Sequence, residues 1–233
     1  MKRLILLIFL FITLAININA QEEFFEVPNY INIEKNVKDR NSSFYYPTLM
    51  AKYLNANSEM TIEEARHLYF GYVFQSNYVP SDTSSYNNKL SKTLSRVTFT
   101  PSDYAEILEY SDALLLQDPF NLRALNSKLL VFAQQNNTEE YKKVAQQRSV
   151  IHNAIVSTGD GMSENTAFYV IKVAHEYDIL PFLGYNYGGE DKILRGKNVN
   201  YLTLGQNRFG IEKVYFNISP VIKYVNEHGG GKM

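Results

Sequence analysis

The chain has 233 residues, 23 of them basic and 24 acidic, with no cysteine and no tryptophan. Without cysteine there are no disulfides, thiol nucleophiles or zinc ribbons, and no acylated lipoprotein cysteine. A near-neutral balance without a run of Lys or Arg speaks against a nucleic-acid or anionic-membrane partner.

The first residues read Met1-Lys2-Arg3, followed by an apolar run from Leu4 to Ile16 and then Asn17-Ile18-Asn19-Ala20-Gln21. A positive start, an apolar stretch and a small residue before the cut are the parts of a secretory signal peptide over residues 1–20, cleaved between Ala20 and Gln21. The run is shorter than the roughly 20 apolar residues that a spanning helix needs, and no later segment reaches that length. Loss of Lys2 and Arg3 takes the net charge from −1 to −3. The expected location is therefore outside the cytoplasm, periplasmic or secreted, with no transmembrane segment left after cleavage.

Residues 21–157 read as mainly helical. A short helix is expected near Ile31–Val37, and another opens with Pro47 at its first position. Thr61-Ile62-Glu63-Glu64 is a capping box, in which the Thr hydroxyl and the Glu carboxylate each satisfy the other's backbone amide. The helix behind it places Ile62, Ala65, Tyr69, Tyr72 and Val73 on one stripe, widened by Phe70 and Phe74. Residues 76–95 read as a loop with one turn of helix near Leu90. Thr100-Pro101-Ser102-Asp103 starts the next helix, with Ile107, Ser111 and Leu114 inward, and Asp118-Pro119 ends it. Leu122, Leu125, Leu129 and Phe132 face inward on the following helix. Thr138-Glu139-Glu140-Tyr141 opens a third with Val144, Ile151, His152 and Ile155 inward. Short connections make these three antiparallel neighbours. The Asp118–Ala124 junction resembles the joint between tetratricopeptide helices, although Leu129 and Tyr141 depart from that pattern and no second copy follows.

Residues 158–233 read as β-rich and packed on the helices as one domain. Gly159-Asp160-Gly161 is a turn signal. Thr166 to Tyr177 reads as a strand covered on both faces, since apolar residues occupy both alternate sets. Gly184–Gly189 reads as a Tyr- and Gly-rich loop. Val199–Leu204 and Ile211–Ile218 read as strands, with a terminal turn of helix at Pro220–Val225 and a frayed tail from Gly229. The fold class expected is α+β: a tetratricopeptide-like N-terminal layer of antiparallel helices followed by a small antiparallel β-sheet.

Three segments together resemble domain-of-unknown-function family 4919, found in exported bacterial proteins. They are the Tyr46-Pro47 to Phe74-Gln75 region, the Gly159-Asp160-Gly161 turn with Thr166-Ala167-Phe168 and Glu176-Tyr177, and the closing Val214-Tyr215-Phe216-Asn217-Ile218 strand. The resemblance implies export and helices followed by a sheet. It carries no activity, so it assigns no functional residue.

Motif by motif, little chemistry is indicated. Gly161-Met162-Ser163-Glu164-Asn165 approaches a nucleophile elbow but lacks its last Gly and precedes a strand. His175-Glu176 lacks the second His of a zinc-protease helix, because position 179 is Ile. The histidines show no ligand spacing. His67, four residues after Glu63, reads as half of a surface ion pair, and His152 as a core histidine. Asp160, Ser163, Glu164 and Asn165 do not match a calcium loop. No cofactor and no metal are expected. The acids open to a hydrolase of envelope glycan or polymer are Asp160, Glu164 and Glu176. Tyr185 and Tyr187 are the residues open to ligand stacking. The leading reading is a non-catalytic binding or scaffold protein of the bacterial envelope, its partner a protein, a peptide or a glycan. The hydrolase is the alternative, and a purely structural component a third.

Overall fold

A computed structural model describes residues 25–229, apart from positions 57, 82 and 195. The leader, its cut after Ala20 and the tail beyond Gly229 lie outside the described residues. In chain order the elements are α1 (Tyr30–Lys38), α2 (Tyr46–Asn55), α3 (Ile62–Gly71) with a 3-10 turn (Tyr72–Phe74), α4 (Ser85–Leu94), α5 (Pro101–Gln117), α6 (Leu122–Gln134), α7 (Thr138–Val156), β1 (Phe168–Tyr169), α8 (Ala174–Asp178), β2 (Tyr187–Ile193), β3 (Val199–Leu204), β4 (Lys213–Asn217) and α9 (Ser219–His228). Helices come first and the sheet last, an α+β arrangement.

Local chemistry sets the helix starts. Thr61 accepts from the Glu64 amide, and the Glu64 carboxylate accepts from the Thr61 amide at 2.7 Å. Thr100 and Asp103 repeat the device at the head of α5. Asn121 and Asn137 cap α6 and α7 through their side-chain oxygens. Each cap satisfies amides that the helix itself leaves open. The loop expected at 76–95 instead contains the ten-residue helix α4, opened by a Ser84 cap and anchored by buried Leu90 and Thr93.

Helix α6 sits between α5 and α7 and buries two faces. Leu122, Leu125, Leu129 and Phe132 join the main core, while Ala124 and Val131 join a second cluster with Leu90, Ile107 and Leu114. The main core continues through Tyr69, Phe70, Tyr72 and Phe120 into Phe168, Leu202, Val214 and Phe216 of the sheet. Phe120 is the hub, with ring centroids of Tyr53, Tyr72 and Tyr69 at 5.4, 5.1 and 5.9 Å.

The sheet order is β1-β4-β3-β2. β2, β3 and β4 pair antiparallel, but β1 pairs parallel with β4, Phe168 opposite Phe216, so the sheet is mixed. The expected strand over 166–177 shrinks to Phe168–Tyr169, and the chain then turns into the short helix α8. Lys172 explains the break: its ammonium leaves the sheet line to meet the Asp118 carboxylate at 2.6 Å, both groups buried. A charge under the core needs such a partner. Position 187, expected in a loop, begins β2, an edge strand exposed along its whole length.

Candidate functional site

The three nominated carboxylates do not share a cleft. Asp160 lies in the turn between α7 and β1, where its Oδ1 accepts from the Met162 amide at 2.9 Å. Gly161 beside it has φ +70 and donates its amide to the Thr166 carbonyl at 2.8 Å. Glu164 pairs with Lys197. Glu176 is fully buried in α8. None of the three lines any of the four main recesses among the described residues.

Around Glu176 the polar groups have a definite protonation. Burial, with the Asp191 charge as a lesser contribution, pushes its carboxyl up to about 8, against a pull downward from the Asn200 hydrogen bond. Asn200 Nδ2 donates to Glu176 Oε2 at 2.6 Å, while Glu176 Oε1 and Asn200 Oδ1 are both buried without a partner among the described residues. A proton on Glu176 turns one of these two unpaired acceptors into a donor, since a carboxylate only accepts.

His175, next in sequence, is also sealed. Its Nε2 lies 3.0 Å from the Phe120 carbonyl, which can only accept, so Nε2 carries the proton. Nδ1 then accepts from the Tyr69 hydroxyl at 2.7 Å, and that oxygen accepts the Ile171 amide at 3.3 Å. Burial, with the Lys172 charge behind it, pushes the imidazole down to about 3. The ring is a neutral strut between α3, the α5–α6 junction and α8. His67 Nδ1 lies 3.8 Å from the Glu63 carboxylate, the partner expected of it, but the ring is not at the surface. It is buried, stacks on Phe44 at 3.9 Å, donates from Nδ1 to the Glu63 carbonyl and accepts from Asn36 at 3.0 Å. His152 is buried as expected, and burial pushes it down to about 4. Among the described residues no three acids or histidines cluster as metal ligands.

Four concavities stand out among the described residues. One, of about 130 Å³, has the Asp118–Lys172 pair in its lining. A second, of about 200 Å³, lies between α2, α5 and α7. The third, of about 840 Å³, is the largest of the four. It runs between α1 and α9 over the 3-10 turn and Gln75–Val79. Its walls are aromatic. Tyr30 stands edge-on to Phe74 at 6.4 Å, Tyr224 edge-on to Tyr78 at 5.6 Å, and His228 stacks on Tyr224 at 4.2 Å. Ile31 on its rim is 86% exposed. The acids on the rim are each neutralised along their own helix, Glu34 by Lys38 at 2.5 Å and Glu227 by Lys223 at 3.9 Å. The Tyr30 hydroxyl is buried there without a partner among the described residues.

The fourth, of about 460 Å³, adjoins the loop that holds Tyr185. Tyr185 is buried and Tyr187 is exposed at the start of β2, edge-on to Tyr177 at 5.2 Å. Neither lines the recess; Phe182 and Phe209 do. Phe182 comes from Pro181–Gly184 and Phe209 from the β3–β4 connection, and neither was singled out in the sequence.

The family model for Domain of unknown function (DUF4919) matches residues 31–227. The chain belongs to this family. The DUF4919 match includes every element from α2 to β4 and most of α1 and α9, so the lining of the large groove falls within it except for Tyr30 and His228 at its two ends. No curated protein and no solved structure matches the chain.

Proposed function

We propose that this DUF4919 protein is an exported, non-catalytic binding protein of the bacterial envelope, which holds a polypeptide segment in the groove between α1 and α9. The groove carries the reading. At about 840 Å³ it lies within the roughly 300–1,000 Å³ typical of ligand sites. Its lining suits side chains more than charged groups: aromatic rings and the exposed Ile31 offer apolar contact, and both acids are already paired. Tyrosine and histidine tips supply the few polar contacts that orient a ligand. Export rests on the leader pattern of residues 1–20, with a mature start at Gln21. In keeping with it, no helix among the described residues is long and apolar enough to cross a membrane.

The hydrolase reading is less favoured because Asp160, Glu164 and Glu176 are apart, and Glu176 is shut away from any substrate. Selection of the mature protein against a random peptide display library tests the proposal. Apolar peptides should be recovered, and Tyr224→Ala should weaken them about tenfold, the loss of one buried ring contact. Failure to select any peptide would overturn the peptide reading, and release of fragments from purified peptidoglycan that Asp160→Asn or Glu164→Gln abolishes would replace the binder with the hydrolase.

A further inference from the structure

Phe182 and Phe209 leave 51% and 55% of their surface in water on either side of one recess. Single exposed rings are common, but two facing one concavity mark a contact site. Both are held from behind. Phe182 rests on the buried His152 ring at 4.2 Å, and Phe209 on the buried Tyr185 ring at 6.4 Å.

The loop carrying Phe209 is also fixed. Asn207 Oδ1 accepts from the Phe209 and Ile211 amides, and its Nδ2 donates to the Gly205 and Ile211 carbonyls at 3.0 and 2.7 Å. That uses its whole side-chain amide in bracing the turn. The remaining polar groups are uncommitted: the Asn186 and Gln206 carboxamides make no side-chain hydrogen bond among the described residues. The Arg208 guanidinium lies over the Phe209 ring at 4.6 Å, and its N–H groups have no hydrogen-bond partner among the described residues. No carboxylate lines the recess.

We propose that the recess between the 181–186 and 205–210 loops is a second binding site that takes an acidic saccharide unit. The apolar C–H face of a pyranose lies on Phe182. The Asn186 and Gln206 carboxamides each offer a donor and an acceptor, the combination that neighbouring hydroxyls need. Arg208 takes the sugar's carboxylate or sulfate, to which a planar guanidinium binds through paired N–H groups. The space, about 460 Å³, suits a small glycan segment. With the peptide groove on α1 and α9, the chain would join a polypeptide to an envelope glycan. The saccharide site does not depend on that groove.

Titration calorimetry with three defined probes tests it: a galacturonate trisaccharide, a sulfated heparin-type disaccharide and neutral maltotriose. One acidic probe should bind better than maltotriose, which also tells carboxylate from sulfate. Phe182→Ala should weaken it about tenfold, the scale of one stacked ring. Arg208→Gln should remove the preference for acid while retaining weak neutral-sugar binding. Tyr224→Ala, in the other groove, should leave saccharide binding unchanged, so failure of the peptide reading and failure of this one are separable. Both substituted side chains are exposed, and circular dichroism verifies that the variants fold. The proposal is overturned if no probe binds, if both substitutions leave binding intact, or if a nucleotide or peptide occupies the recess more tightly than any saccharide.

Discussion

Replacing Glu176 by Gln should change how stability depends on pH. Glu176 has its folded carboxyl raised from 4.5 to about 8. Between those values the folded chain holds a proton that the unfolded chain has released. Its stability is therefore fully present below pH 4.5, falls as pH rises, and levels off above pH 8. The slope is about 1.4 kcal/mol per pH unit, so the change between pH 5 and pH 9 is about 4 kcal/mol. In Glu176→Gln the amide is neutral at every pH. Its oxygen still accepts from Asn200 Nδ2, and its NH2 stands where the acid carries its proton. The depressed histidines 152 and 175 destabilise both proteins alike in acid and cancel in the difference. Urea unfolding of both proteins at pH 5, 7 and 9 reads this directly. The variant should gain on the wild type progressively toward pH 9. A difference constant from pH 5 to pH 9 would show that Glu176 does not hold a proton in the fold.

Leu125, 1% exposed in the main core, should cost about 2–5 kcal/mol as Leu125→Ala in chemical denaturation. Lys172→Met leaves the Asp118 carboxylate buried without its cation and should cost about 3–5 kcal/mol; adding Asp118→Asn should recover most of it in a double-mutant cycle. Gly161→Ala forces a side chain onto φ +70 and places its Cβ 2.5 Å from the Phe168 ring, so the melting temperature should fall, by the equivalent of about 1–3 kcal/mol. Asp160→Asn retains the oxygen that accepts from Met162 and should stay within about 0.5 kcal/mol of wild type.

Helices were legible where a cap and a stripe coincide. Thr61 with Glu64 and Thr100 with Asp103 act within three residues, so the sequence carries their whole geometry. The inner faces of α5 to α7 follow from spacing, although α6 buries a second face because it has neighbours on both sides. The stretch from Thr166 to Tyr177 misled because burial on all sides erases periodicity: a two-residue strand and a five-residue helix leave the same apolar run as one long strand. β2 was hidden for the opposite reason. Its Gly188, Gly189, Glu190, Asp191 and Lys192 show no alternation, since every residue of the strand is exposed and backbone pairing to β3 holds it. The candidate sites were the least legible. Tyr30 and Tyr224 share a groove only because the first and last described helices line one concavity, and Phe182 and Phe209 come from separate loops. Tyr185 lies behind the 205–210 loop, where its ring supports Phe209 and stays buried.

Site-specific photo-crosslinking from the groove rim tests the binding reading most directly. A benzophenone side chain at position 31, 86% exposed and in the groove lining, is compared with one at position 97, fully exposed and outside it. With a biotinylated peptide from the display selection, position 31 should form an adduct and position 97 should not. Unlabelled peptide and Tyr224→Ala should both suppress that adduct. Equal adducts at both positions, or none at position 31 while the peptide still binds, would contradict the groove as the binding site.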